Sequence, residues 1–273
     1  MRNRILAVSA AAFAASMGLA APADAAQDDA QLSVLHGVPD LTVDVWVNGE
    51  RTLDDFTPGS LAGPLALPAG SYSVAITAAD AASADDAVLG PVDLKLAAKG
   101  NYTAVAHLDA GGKPTASLFT NDMSAIPAGK GKLTVRHTAA APAVDVLAGG
   151  TAVIKDLANP EEKTLTLDPG AVPASVAAAG TTKAVIGPAD IPVAEGSNTI
   201  VYAWGSLKGG NLDVAVQTLE GLQSNPKAVP GGRSGAAAAD NSALVAGGAG
   251  AALLLAAAGG LALRRRAAAA RNR

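Results

Sequence analysis

Two histidines and two aspartates recur at one spacing along this chain, and they are where chemistry would be sought first. His36 is followed eight residues later by Asp44, and His137 is followed eight residues later by Asp145. A histidine beside a carboxylate can bind a metal or act as a general base. Each pair, however, supplies one histidine and one acid, too few ligands for a zinc site. His36 also shares its alternation parity with Leu32 and Val34, which turns its ring toward a core at a strand end, where a ring nitrogen bonds a turn. A pair repeated in both places is what a fold would need for itself, so we expect a structural role for His36, Asp44, His137 and Asp145.

Other chemistry is thinly represented. The third histidine, His107, has its sequence equivalent near Ala203 and is expected to be a solvated strand residue. A nucleophilic serine needs a base and usually a sharp turn around it, and the chain has no Gly-x-Ser-x-Gly. The neighbouring acids Asp54-Asp55 and Asp85-Asp86 would point to opposite faces of a strand or into solvent. The acidic stretch from Asp80 to Asp86 has no Asp-x-Asp-x-Asp-Gly spacing for calcium. Trp46, beside Asp44, falls on the strand face opposite Val43, Val45 and Val47. It is expected to anchor a partner or to be covered at a domain junction, whereas Trp204 is expected to fill a core. We therefore expect no cofactor, no metal and no enzymatic activity.

The elements that carry these residues are duplicated. Leu32-Ser33-Val34-Leu35-His36 returns as Leu133-Thr134-Val135-Arg136-His137, and Val43-Asp44-Val45 returns as Val144-Asp145-Val146. Leu65-Ala66-Leu67-Pro68-Ala69-Gly70 matches Leu165-Thr166-Leu167-Asp168-Pro169-Gly170, and Val88-Leu89-Gly90-Pro91 matches Val185-Ile186-Gly187-Pro188. Four blocks in one order indicate a duplicated domain. Within each copy, apolar residues alternate with polar ones over short runs, as in Tyr72, Val74 and Ile76, and Gly/Pro-rich turns break the runs. That pattern predicts an all-β chain of two tandem immunoglobulin-like antiparallel sandwiches, with a small barrel as the alternative. The predicted domains are 30–121 and 132–222, joined by a linker at 122–131.

The ends carry an address. Met1-Arg2-Asn3-Arg4, an apolar run and Ala23-Asp24-Ala25 have the form of a signal peptide over 1–25. Residues 243–263 contain no charge and are followed by Arg264-Arg265-Arg266. At about 1.5 Å per residue such a helix spans about 30 Å, and the arginines would keep the tail 264–273 in the cytoplasm. Residues 223–242, rich in Pro, Gly, Ser and Ala, are predicted to be a stalk reaching at most about 65 Å. No Leu-Pro-x-Thr-Gly precedes the span, so wall anchoring by sortase is disfavoured.

Charge narrows the partners. Residues 26–242 hold 23 acidic against 13 basic side chains, a net charge of −10. Nucleic acid and anionic lipid surfaces need basic patches. With no cysteine, an exported chain must be held by its core alone.

The segment His36-Gly37-Val38-Pro39-Asp40-Leu41-Thr42-Val43-Asp44-Val45 and its counterpart from Arg136 to Val146 resemble the opening motif of domain-of-unknown-function family 4397. Leu67-Pro68-Ala69-Gly70-Ser71-Tyr72-Ser73-Val74 is similar to a later strand entry of that family, and the resemblance runs from about Leu32 to Leu219. It departs at Ala171-Val172-Pro173, where the second copy lacks the Ser-Tyr-Ser pattern. The resemblance implies exported bacterial β-sandwich domains, often in tandem, with no established activity. The resulting expectation is a single-pass cell-membrane protein whose extracellular domains bind an envelope or extracellular protein or polymer. The alternatives are a structural spacer without a ligand and, third, a hydrolase of wall polymers.

Overall fold

The computed structural model describes residues 28–224; the signal-peptide, transmembrane and tail assignments, and the stalk beyond Ser224, lie outside the described residues. The first copy contains β1 (Ala30–His36), β2 (Val43–Val47), β3 (Glu50–Phe56), β4 (Leu61–Leu67), β5 (Gly70–Ala78), β6 (Ala87–Leu96), β7 (Asn101–Leu108) and β8 (Pro114–Thr120). The second repeats them as β9 (Gly131–His137), β10 (Val144–Ala148), β11 (Thr151–Leu157), β12 (Glu162–Leu167), β13 (Gly170–Ala178), β14 (Ala184–Val193), β15 (Asn198–Trp204) and β16 (Asp213–Leu219). The departure from the family pattern at Ala171-Val172-Pro173 does not disturb β13, which pairs with β10 and β14 as β5 pairs with β2 and β6.

Each copy is a sandwich of two four-stranded sheets. The orders are β4-β1-β7-β8 over β3-β2-β5-β6, and β12-β9-β15-β16 over β11-β10-β13-β14. This corrects the expectation in two respects. Each copy has eight strands, in an order unlike that of the seven-stranded immunoglobulin domain, and β1–β7 and β9–β15 run parallel while the other pairs are antiparallel. The alternating sequence could not reveal this, because period two reports a half-buried strand whatever its neighbour's direction.

The sandwiches are not two beads on a linker. Leu35, Val105 and Phe119 of the first copy share a core cluster with Ile200, Tyr202, Trp204 and Leu219 of the second. The sheet containing β1 and β7 therefore packs face to face on the sheet containing β9 and β15, giving four layers. Every residue of β9 and of β15 is buried, because one face meets its own sandwich and the other meets the neighbouring copy. The segment predicted as a linker takes part in this packing. Ile126 is fully buried, donates its N–H to the Leu222 carbonyl and accepts from Ser224 N.

Sheet edges are blunted by Gly-Pro pairs at Gly63-Pro64 in β4, Gly90-Pro91 in β6 and Gly187-Pro188 in β14. Proline cannot donate to a ladder and suits an edge. Gly90 has φ +100°, and a Cβ there would lie 2.7 Å from the Val74 carbonyl oxygen. That close approach, rather than turn-forming freedom alone, requires glycine.

Candidate functional site

The repeated histidines and aspartates build the same two latches in both copies. His36 Nε2 bonds the Leu41 carbonyl at 2.7 Å, and His137 Nε2 bonds the Pro142 carbonyl at 3.0 Å. Each ring thus closes the loop between the first two strands of its copy. Both rings are buried, and burial holds their pKa below the usual 6.5, with the carbonyl contacts opposing in part. His36 also stacks on Phe56 at 5.9 Å between ring centroids.

The aspartates pin a bulge. Asp44 Oδ1 accepts the Asp55 N–H at 3.0 Å, and Asp145 Oδ1 accepts the Asp156 N–H at 2.9 Å. Asp55 and Asp156 have φ of 51° and 53°, a left-handed conformation that a side-chain bond stabilises. Asp145 Oδ2 further accepts the Gly180 N–H at 2.9 Å, whereas Asp44 Oδ2 takes Arg51 Nη1 at 3.1 Å. The two backbone N–H bonds lower the Asp145 pKa against burial. At Asp44 burial alone would raise the pKa, but the Asp55 N–H and Arg51 outweigh it.

Trp46 is half-buried on the outer sheet, away from the junction of the copies. Its Nε1 donates to Thr77 Oγ1 at 3.0 Å, and the Arg51 guanidinium lies 5.8 Å from its ring. Two other expectations are corrected. His107 is fully buried rather than solvated: one nitrogen contacts the Leu108 carbonyl at 2.9 Å and the other Ser117 Oγ at 2.9 Å. By strand register its counterpart is Trp204, one residue beyond Ala203. Trp204 fills the junction between copies rather than the second core, and its ring lies against Gly59. These two residues end strands of the doubly buried sheets, so polarity alone misreads them.

The junction holds a polar seam that residue types did not suggest. Arg136 is 1% exposed, donates from Nε to Glu162 Oε2 at 2.6 Å and from Nη1 to Tyr202 Oη at 2.7 Å. Tyr202 Oη donates to Gln217 Oε1 at 2.6 Å, which also accepts Thr103 Oγ1 at 3.0 Å, and Gln217 Nε2 donates to Ser33 Oγ at 3.1 Å. The guanidinium lies 4.4 Å from the Phe119 ring. A chain of bonds therefore runs from Glu162 through the second copy to β1 and β7 of the first. The repeat holds a signal for it: Arg136 stands where the first copy has Leu35.

Each sandwich also encloses an apolar cavity between its sheets, at equivalent places. The first is about 110 Å³ and is lined by Leu32, Val45, Val47, Leu65, Leu67 and Val74 among others. The second is about 240 Å³ and is lined by Leu133, Val146, Ala148, Leu165, Leu167 and Ala174 among others. Ala148 and Ala174 replace Val47 and Val74, which accounts for part of the larger volume. Val153 and Asp168 complete one side of the second cavity.

Fold and site define a class: an all-β protein of two β-sandwiches joined back to back, with its histidine and aspartate pairs bonded to backbone. Residues 30–147 match the model of the family described as "Domain of unknown function (DUF4397)", the family that the resemblance pointed to. No curated protein matches the chain. Among solved structures the chain is similar to the Bacillus anthracis TIE protein, at 14% identity and a TM-score of 0.19, over 70% of this chain. The match spans 43% of that protein's length.

Proposed function

We propose that this is a non-enzymatic, membrane-anchored protein of the bacterial cell surface, whose two sandwiches serve as an interaction or adhesion module for another envelope or extracellular component. One observation carries the non-catalytic part of the reading. In both copies the histidine Nε2 and the aspartate Oδ1 are engaged by backbone groups of loops and bulges, and neither aspartate is hydrogen-bonded to its histidine. The address rests on the sequence of the two ends, with an Ala-x-Ala site near residue 25 and an uncharged span before three arginines.

The chain has no cysteine, which makes the topology directly testable. Single-cysteine variants Lys99→Cys and Asn272→Cys, treated on intact cells with a membrane-impermeant maleimide, should label at 99 and stay protected at 272. Labelling at both positions, or at neither until lysis, would remove the surface reading. A spacer without a ligand is the second reading, favoured by the seam that joins the copies into one body. Loss of partner capture on mutating surface positions separates the two, since a spacer has nothing to lose there.

A further inference from the structure

We propose that the second sandwich binds an extended peptide strand along the free edge of β12, and that the cavity beside it receives one large apolar side chain of that peptide. The proposal rests on the binding-module reading and names its site and ligand class. Two independent features meet at this place. β12 pairs with β9 from Glu162 to Leu167 without a register break, and among the described residues no strand flanks its other edge. Such an edge presents unpaired N–H and C=O groups to an incoming strand. Leu165 and Leu167 of the same strand line the 240 Å³ cavity.

The duplicated copy is an internal control, because its edge strand carries a Gly-Pro pair and its cavity is smaller, about 110 Å³. Where β12 has Lys163-Thr164, β4 has Gly63-Pro64, and its pairing with β1 is broken between Leu32 and Val34. Where β10 and β13 have Ala148 and Ala174, β2 and β5 have Val47 and Val74. Where β11 exposes Val153 at 43%, β3 has Thr52. The second copy thus lacks the edge guard, the two cavity-filling valines and the polar rim residue that the first copy has.

Charge selects the peptide further. Lys163 lies on the same face of β12 as Leu165 and Leu167, and Lys155 is exposed on β11; neither is in an ion pair among the described residues. Glu162 faces the other way, toward Arg136. The acidic group at the cavity, Asp168, is already paired with Lys130, so the ammonium group of Lys163, on the β12 face shared with Leu165 and Leu167, favours a peptide with acidic residues flanking the apolar one.

The test uses the purified full-length chain and fluorescein-labelled peptides Asp-Thr-X-Thr-Asp, with X either Leu or Gly, read by fluorescence anisotropy. The Leu peptide should bind at least about tenfold more tightly than the Gly peptide. Ala148→Val with Ala174→Val, which installs the first copy's residues, should erase the difference. Lys163→Gly with Thr164→Pro, which installs its edge guard, should weaken both peptides. Circular dichroism and thermal melting of each variant establish that it is folded, and the two variants fail independently if one is not. Equal binding of the Leu and Gly peptides, or binding unchanged in both folded variants, overturns the proposal. So does displacement of the Leu peptide by lauric acid at lower concentration than by unlabelled peptide, which assigns the cavity to an alkyl chain. Self-association of the chain that is abolished by the Thr164→Pro variant would assign the edge to a second copy instead. Because binding is measured in solution, a negative result leaves the surface address standing, and a failed topology test leaves the peptide site standing.

Discussion

At the scale of single residues, burial sets the response to acid. His36, His107 and His137 all have pKa values lowered from 6.5, chiefly by burial. The unfolded chain therefore takes up protons first as pH falls below 6.5, and stability declines there while remaining flat above it. Asp44 and Asp145 are lowered from 3.8, so their contribution is present above 3.8 and is lost as pH falls through their folded values. Urea midpoints measured from pH 8 to 3 should fall in two stages, the first beginning near 6.5. His107→Gln should reduce the first stage, and a profile flat from pH 8 to 5 would contradict buried neutral rings. Asp145→Ala frees the N–H groups of Asp156 and Gly180 together, and its midpoint should drop with an unchanged urea slope. Tyr202→Phe removes the hydroxyl that joins Arg136 to Gln217 and should cost about 1–3 kcal/mol, measurable in the same assay.

At the scale of elements, the edge glycines give the sharpest expectation. Gly90→Ala places a methyl group 2.7 Å from the Val74 carbonyl oxygen, at φ +100°. A cost of about 1–3 kcal/mol follows, and Gly49→Ala, where nothing lies within 4 Å, should cost less despite its positive φ. Much of this level could be read from sequence. Val43, Val45 and Val47 alternate toward a core, and four repeated blocks announce two equivalent sandwiches. The parity of His36 identified its bond to a turn, because a strand end leaves a ring nitrogen beside loop carbonyls. Strand order was not legible, since β1 and β7 lie about 70 residues apart in sequence and alternation carries no information on partners. Lys132, Thr134 and Arg136 alternate with the core residues Leu133 and Val135, yet all three are buried as well. Their face meets another sheet, and the polar residues are satisfied from their own side of it: Lys132 by Asp122 and Ser124, Thr134 by Thr164 and Asn198, and Arg136 by Glu162 and Tyr202. The cavity was hidden for a related reason: Ala148 and Ala174 look unremarkable until set beside Val47 and Val74.

At the scale of the whole molecule, the shared core and the seam from Glu162 to Ser33 predict that the copies unfold as one unit. Calorimetry should give a single transition whose van't Hoff and calorimetric enthalpies agree, whereas independent sandwiches would give two transitions. The proposed function puts one fused body outside the cell on a stalk, and controlled trypsin treatment of intact cells tests it most directly. Lys227 and Arg233 lie in the predicted stalk, Lys130 lies between the copies, and Lys132 lies at the start of β9. The account predicts release of a single resistant fragment that contains both copies and ends at Lys227 or Arg233. Complete protection of the chain on intact cells, or release as two pieces cut at Lys130 or Lys132, would contradict it.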